Sequence, residues 1–185
     1  MKIVSLLPVV LAGALLAGSA NALPRDVTDP KAPRSLPAQG RVDVNWTDPA
    51  QFSEIRQSGN RWEAKRGDWI EQLAKHLRKR AEQRLPSGER LSVTINDIQR
   101  AGRYEPWRGA NMSSTRFVRD IYPPRIELEF TLRDANGNVV EQGPRKLTDL
   151  AFLMGSSPAG SNDPLRYEKR LIDDWLNKEF KRPGV

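Results

Sequence analysis

The sequence has no cysteine and only one histidine, His76, in 185 residues. Without cysteine there is no disulfide scaffold, no thiolate zinc or iron–sulfur site, no cysteine nucleophile and no lipidated N-terminal cysteine. One histidine does not make a histidine-rich metal centre. The G-x-S-x-G and S-x-x-K nucleophile patterns, the P-loop and the dinucleotide-binding glycine pattern are absent as well. Acidic residues are in deficit, with 23 Asp+Glu against 30 Lys+Arg and a net charge of +7. That balance favours anionic partners. Long apolar runs occur only at the N-terminus. There Lys2 precedes the uncharged stretch Ile3 to Gly18, and Ala20 and Ala22 form an A-x-A pattern. This is the pattern of a signal peptide over residues 1–22, so the mature chain is expected in the periplasm or secreted, with no transmembrane segment after cleavage.

Pro24, Pro30, Pro33 and Pro37 crowd residues 23–40. Each removes a backbone donor and fixes φ, so a flexible leader is expected there and a single domain over 41–185. In that domain Val42, Val44 and Trp46 alternate with polar residues, as do Leu91, Val93 and Ile95, and Ile126, Leu128, Phe130 and Leu132. These are half-buried strands. Asp134–Gly137 is a turn into a further strand from Asn138, which Gly143-Pro144 is expected to interrupt with a bulge. Ile70, Leu73, Ala74, Leu77, Ala81 and Leu85 follow a helical period from Asp68. Leu165, Ile172, Trp175, Leu176 and Phe180 form a second helical stripe, with Asp163 as N-cap and Pro164 behind it. Trp62 is seven residues from Trp69 and would share its face if the first helix began earlier. The order β-α-β-β-β-α, with one polar face on every strand, predicts an α+β two-layer sandwich. It has one mixed four-stranded sheet and two helices on one face, the first strand being parallel to a later one.

A long loop, residues 99–124, interrupts this pattern. It interleaves Arg100, Arg103, Arg108, Arg116 and Arg119 with Tyr104, Trp107, Phe117, Ile121 and Tyr122. Loops of this length are uncommon in compact domains and are often functional. The runs Tyr104-Glu105-Pro106-Trp107, Val118 to Leu128 and Tyr167 to Leu176 resemble a family of small exported proteobacterial proteins catalogued as a domain of unknown function. The resemblance covers about residues 41–181 and implies no activity and no site residues.

Tyr104, Trp107, Arg108, Arg119 and Tyr122 are the candidate binding residues. Arginine offers a planar fork to phosphate or carboxylate, and the aromatics offer stacking faces. The competing reading is a loop pinned by Trp107 and Tyr122, its arginines paired with Glu105, Asp120, Glu127 and Glu129. Asp43, Glu127 and Glu129 lie on the polar strand face, where paired carboxylates serve acid–base work or hold a cation, or simply face water. His76 has four cationic neighbours in sequence, Lys75, Arg78, Lys79 and Arg80, and no carboxylate orienter, so it is expected in solvent. No catalytic residue, metal ligand or cofactor is assigned.

The leading expectation is a non-enzymatic periplasmic binding domain with an Arg/aromatic surface for an anionic envelope component or a protein partner. The alternatives are a small carboxylate-dependent hydrolase or transferase of the envelope, and extracytoplasmic nucleic-acid binding without a specific motif. The intact mass of exported protein should correspond to a chain beginning at Leu23. A mass that retains residues 1–22 contradicts the export reading.

Overall fold

In the computed structural model, residues 25–154 and 162–180 are described. The expected signal peptide, Leu23 and Pro24, most of the Gly/Ser/Pro loop before Asp163 and the end of the chain lie outside them. The strands are β1 (Val42–Trp46), β2 (Arg90–Gln99), β3 (Arg103–Tyr104), β4 (Arg116–Phe117), β5 (Arg125–Arg133) and β6 (Val139–Thr148). The helices are α1 (Ser53–Arg56), α2 (Arg61–Lys65), α3 (Trp69–Glu82) and α4 (Arg166–Glu179).

Alternating branched and polar side chains give the main sheet one dry face. Its order is β1-β2-β5-β6, with β1 parallel to β2 and the other pairs antiparallel, so the sheet is mixed as expected. Val44, Val93 and Phe130 lie in one register row. Val42, Leu91, Ile95, Ile126, Leu128 and Leu132 complete the buried face. The apolar stripes of α3 and α4 close it, through Leu73, Leu77, Ile172 and Leu176 among others. Each such side chain contributes roughly 1.5–3 kcal/mol by leaving water. Among the described residues no helix is long and apolar enough to cross a membrane.

Several expectations are corrected. β6 is continuous through Gly143-Pro144, with Pro144 opposite Glu129. It is an edge strand, where a missing N–H is tolerated. The irregularity falls instead between the Leu132 and Arg133 pairs, and a second one opens β2 between Ile95 and Asp97. Asp163 accepts from the Leu165 amide at 2.8 Å, but α4 begins only at Arg166. Trp62 does not share a face with Trp69. It lies on the separate α2, exposed, under the Arg66 guanidinium at 4.4 Å.

His76 is not in open solvent. α4 packs across it, and Asp173 Oδ1 lies 3.1 Å from its Nε2. Burial, with the charges of Lys169 and Arg80, outweighs Asp173 and holds the imidazole pKa below its ordinary value. The carboxylate partner is 97 residues away in sequence, beyond the reach of any local pattern.

Residues 25–40 carry no helix or strand of the main fold, as their prolines dictate, yet they are not a free leader. Isolated bridges Asp26↔Arg66 and Ser35↔Asn45 fix both ends of a strap. Next to these bridges Leu36 is buried in the core and Val27 packs against it. Two apolar residues and a few main-chain bonds suffice to dock an irregular segment.

Trp175 donates to Glu179 Oε2 at 2.9 Å and meets Phe130 and Phe180 edge-on. Trp175→Ala should lower stability by about 3–5 kcal/mol in denaturant titrations. A midpoint unchanged within error would mean that α4 is not docked through this ring.

Candidate functional site

The long loop is an ordered arm. Gly102 begins it at φ 80°, and a Cβ there would stand 2.7 Å from the Phe117 carbonyl oxygen, so only glycine fits. β3 and β4 pair antiparallel, and 3-10 turns at Pro106–Arg108 and Ala110–Met112 fold the stretch between them. The Gly102 amide donates to the Tyr122 carbonyl at 3.0 Å and closes the base.

Three buried glutamates hold that base. Glu54 on α1 accepts from the Arg100 amide at 3.0 Å, from Arg100 Nη2 at 2.9 Å and from Arg116 Nη2. Glu105, 3% exposed, accepts from Arg108 Nε at 2.5 Å, Arg119 Nη2 at 3.0 Å and the Tyr122 hydroxyl at 3.1 Å. Glu168 on α4, 1% exposed, accepts from the Ala101 amide at 2.6 Å, while its Oε2 has no partner.

The two kinds of environment push these acids in opposite directions. Burial raises the Glu105 pKa, but the bonds from Arg108 and Tyr122 and the charge of Arg119 outweigh it, and the carboxyl lies below its ordinary value. For Glu168 burial wins over the Ala101 bond and the charges of Arg100 and Arg116, and the carboxyl is pushed up.

Arg108, Arg119 and Tyr122 therefore converge on one carboxylate, of which sequence reasoning knows only that Glu105 is one of several available partners. Tyr104, expected on the same surface, is buried. It alternates with Arg103 on β3 and turns its ring to the core, covered by the Arg116 guanidinium at 5.0 Å. Trp107, a candidate binding residue and a pin in the competing reading, is 69% exposed. Met112, Val118 and Ile121 are exposed on the same arm, Ile121 at 67%. Arg108 and Arg119 keep partly exposed guanidinium groups and lie over the Phe117 ring at 4.8 and 5.8 Å. The arm thus offers solvent several exposed apolar side chains and two partly exposed arginines.

Nothing comparable gathers on the polar sheet face. Asp43 lies opposite Ser92, Glu129 opposite Thr94 and Glu127 opposite Asp97, so β2 separates Asp43 from the two glutamates. Glu127 pairs with Lys146 at 3.1 Å. Among the described residues no group of three acidic or histidine side chains is placed to hold a metal ion. The cleft beside Glu54 and Arg116 encloses about 10 Å³, roughly the space of one water and too little for a substrate.

Residues 40–178 match the family described as protein of unknown function DUF3016, and the chain belongs to that family. No curated protein matches it.

The acid shifts give a test. A depressed folded pKa makes Glu105 stabilising at neutral pH, and that contribution disappears as pH falls through the folded value. A raised folded pKa makes ionised Glu168 a cost at neutral pH, relieved on acidification. Protection of the Gly102 amide, its exchange relative to an unstructured chain at the same pH, should fall as the pH drops below the ordinary carboxylate range. Glu105→Gln should open the arm already at neutral pH, whereas Glu168→Gln, which keeps an acceptor for Ala101, should leave the melting temperature unchanged or raise it. A Glu105→Gln arm protected like the wild type would remove the carboxylate from its anchoring role.

Proposed function

We propose that the protein is a non-enzymatic periplasmic binding domain that presents the tip of its arm to an anionic component of the cell envelope. The observation that carries this is the exposure of Trp107, the sequence neighbour of Arg108, and of Ile121, two residues from Arg119, on an arm whose base is fixed by buried ion pairs. Solvation alone does not favour large apolar groups in such a place, and exposed apolar patches rimmed by charge mark contact surfaces. The net charge of +7 supplies attraction at a distance, and the expected signal peptide supplies the compartment.

Pairing with Glu105 does not remove the arginines from this role. Each uses one edge of its fork on the carboxylate and keeps part of the group in water. The hydrolase or transferase alternative has less support. Glu54 is paired with Arg100 and Arg116, Glu105 is paired with Arg108 and Arg119, and Glu168 is buried.

The test is a titration against phosphatidylglycerol vesicles and against an acidic polysaccharide, at low and high salt. Trp107→Ala and Ile121→Ser should weaken saturable binding to one of them roughly tenfold with unchanged melting temperature. The part of binding that survives high salt should be the part these variants remove. Wild-type binding to neither probe, or variants that bind as the wild type does, would overturn the proposal.

A further inference from the structure

A cavity of about 430 Å³ lies between the strap and the first turn of α3, far larger than the cleft under the arm. Its interior is apolar: Val27, Leu36, Pro37, Trp46 and Ile70 line it. The strap forms one wall. It is bridged to the body at Asp26 and Ser35, Arg34 is paired with Asp48 at 2.9 Å, and turn hydrogen bonds at Asp29 and Ala32 shape an irregular middle. Half-enclosed apolar cavities of this size suit small molecules.

The mouth is acidic, on a protein that is otherwise strongly basic. Asp26, Asp29, Asp68 and Glu71 stand around it. Asp26 is paired with Lys65 at 2.9 Å. Asp68 and Glu71 are disposed differently. Each has one oxygen held by its own helix, Asp68 Oδ1 by Gln72 at 2.6 Å and Glu71 Oε1 by Lys75 at 2.7 Å. The other oxygen of each, Asp68 Oδ2 and Glu71 Oε2, lies 3.4 Å from the same atom, Nη1 of Arg25. Two carboxylates thus converge on one point at the mouth, and a cation already stands there. Arg25 holds it loosely, with long contacts and a side chain 70% exposed.

We propose that this cavity is a binding site for a small amphiphilic cation, an alkyl- or arylammonium whose apolar part fills the space under the strap and whose charged end replaces the Arg25 guanidinium between Asp68 and Glu71. The walls recognise the apolar part by exclusion of water, and the convergent oxygens discriminate the charge. Arg25 is then a built-in competitor, since its guanidinium must leave the carboxylates before the ligand's ammonium takes its place. The site is independent of the arm.

The experiment uses hexylammonium as the probe, with hexanol and hexanoate as neutral and anionic matches, read by amide shifts in two-dimensional NMR. Hexylammonium should shift Val27, Leu36 and Gly67 saturably and bind more tightly than hexanol, with hexanoate weakest. Arg25→Ala should tighten hexylammonium several-fold. Asp68→Asn with Glu71→Gln should weaken it roughly tenfold and leave hexanol unchanged. Thermal melts of each variant separate lost binding from lost folding, and the Arg25→Ala gain does not arise from a damaged fold. Equal binding of the three probes, shifts outside the strap, or an Arg25→Ala variant that binds no better would overturn the proposal.

Discussion

A carboxylate removed from water must be answered by donors, and three glutamates impose that condition at one end of the sheet. Leaving such a charge unpaired costs several kcal/mol, and breaking a buried pair by deleting one partner costs about 3–5 kcal/mol. Glu54 and Glu105 therefore dictate where Arg100, Arg108, Arg116 and Arg119 go. Glu54 ties α1 to the end of β2 and to β4, Glu105 ties the two limbs of the arm, and Glu168 ties α4 to Ala101. Segments distant in sequence are joined by polar chemistry where the apolar sheet has already run out.

The sheet and its two long helices were legible because their signal is periodic. Val42, Val44 and Trp46, or Ile70, Leu73 and Leu77, state which side is buried without knowledge of any neighbour. The arm was legible as an exception to the periodic pattern. Its internal arrangement was not. Whether Tyr104 or Trp107 turns inward depends on a two-residue ladder and a pair of 3-10 turns, which leave no period to read. The strap was hidden for a related reason: prolines report that no helix or strand forms, and say nothing of whether Leu36 finds a place in the core. His76 and Asp173, like Ala101 and Glu168, meet across the tertiary structure alone.

Packed loop and binding surface were opposed readings of the arm; the ion pairs bear out the packed loop, and the proposed binding role is compatible with it. An arginine that answers a buried glutamate on one side has fewer conformations left on the other. The same ion pairs that make the arm structural also preorganise Arg108 and Arg119 beside Trp107 and Ile121. Contacts to a partner then cost less side-chain ordering than contacts from a mobile loop. A free loop with this composition would bury its apolar residues against the domain. This one holds its tip away because the base is already committed.

The short stretch from Ser53 to Arg66, without clear period in the sequence, joins the arm to the strap. Asn60 donates to the Ser113 carbonyl on the arm at 2.9 Å, and a Cβ on Gly59 would collide with the Tyr104 carbonyl oxygen. At its other end Lys65 pairs with Asp26, and the Lys65 carbonyl accepts from the Val27 amide at 2.9 Å. Between them the Ala64 carbonyl accepts from Trp69 Nε1 at 3.0 Å and Arg100 Nη2 at 3.3 Å, while the Arg100 guanidinium covers the Trp69 ring at 4.7 Å. α2 is too short to be stable by itself, so these bonds to both sides are what give it a position. The basic arm and the acidic mouth of the strap, opposite in charge, are thus set against one five-residue helix, with Arg100 and Trp69 as the packed contact between them.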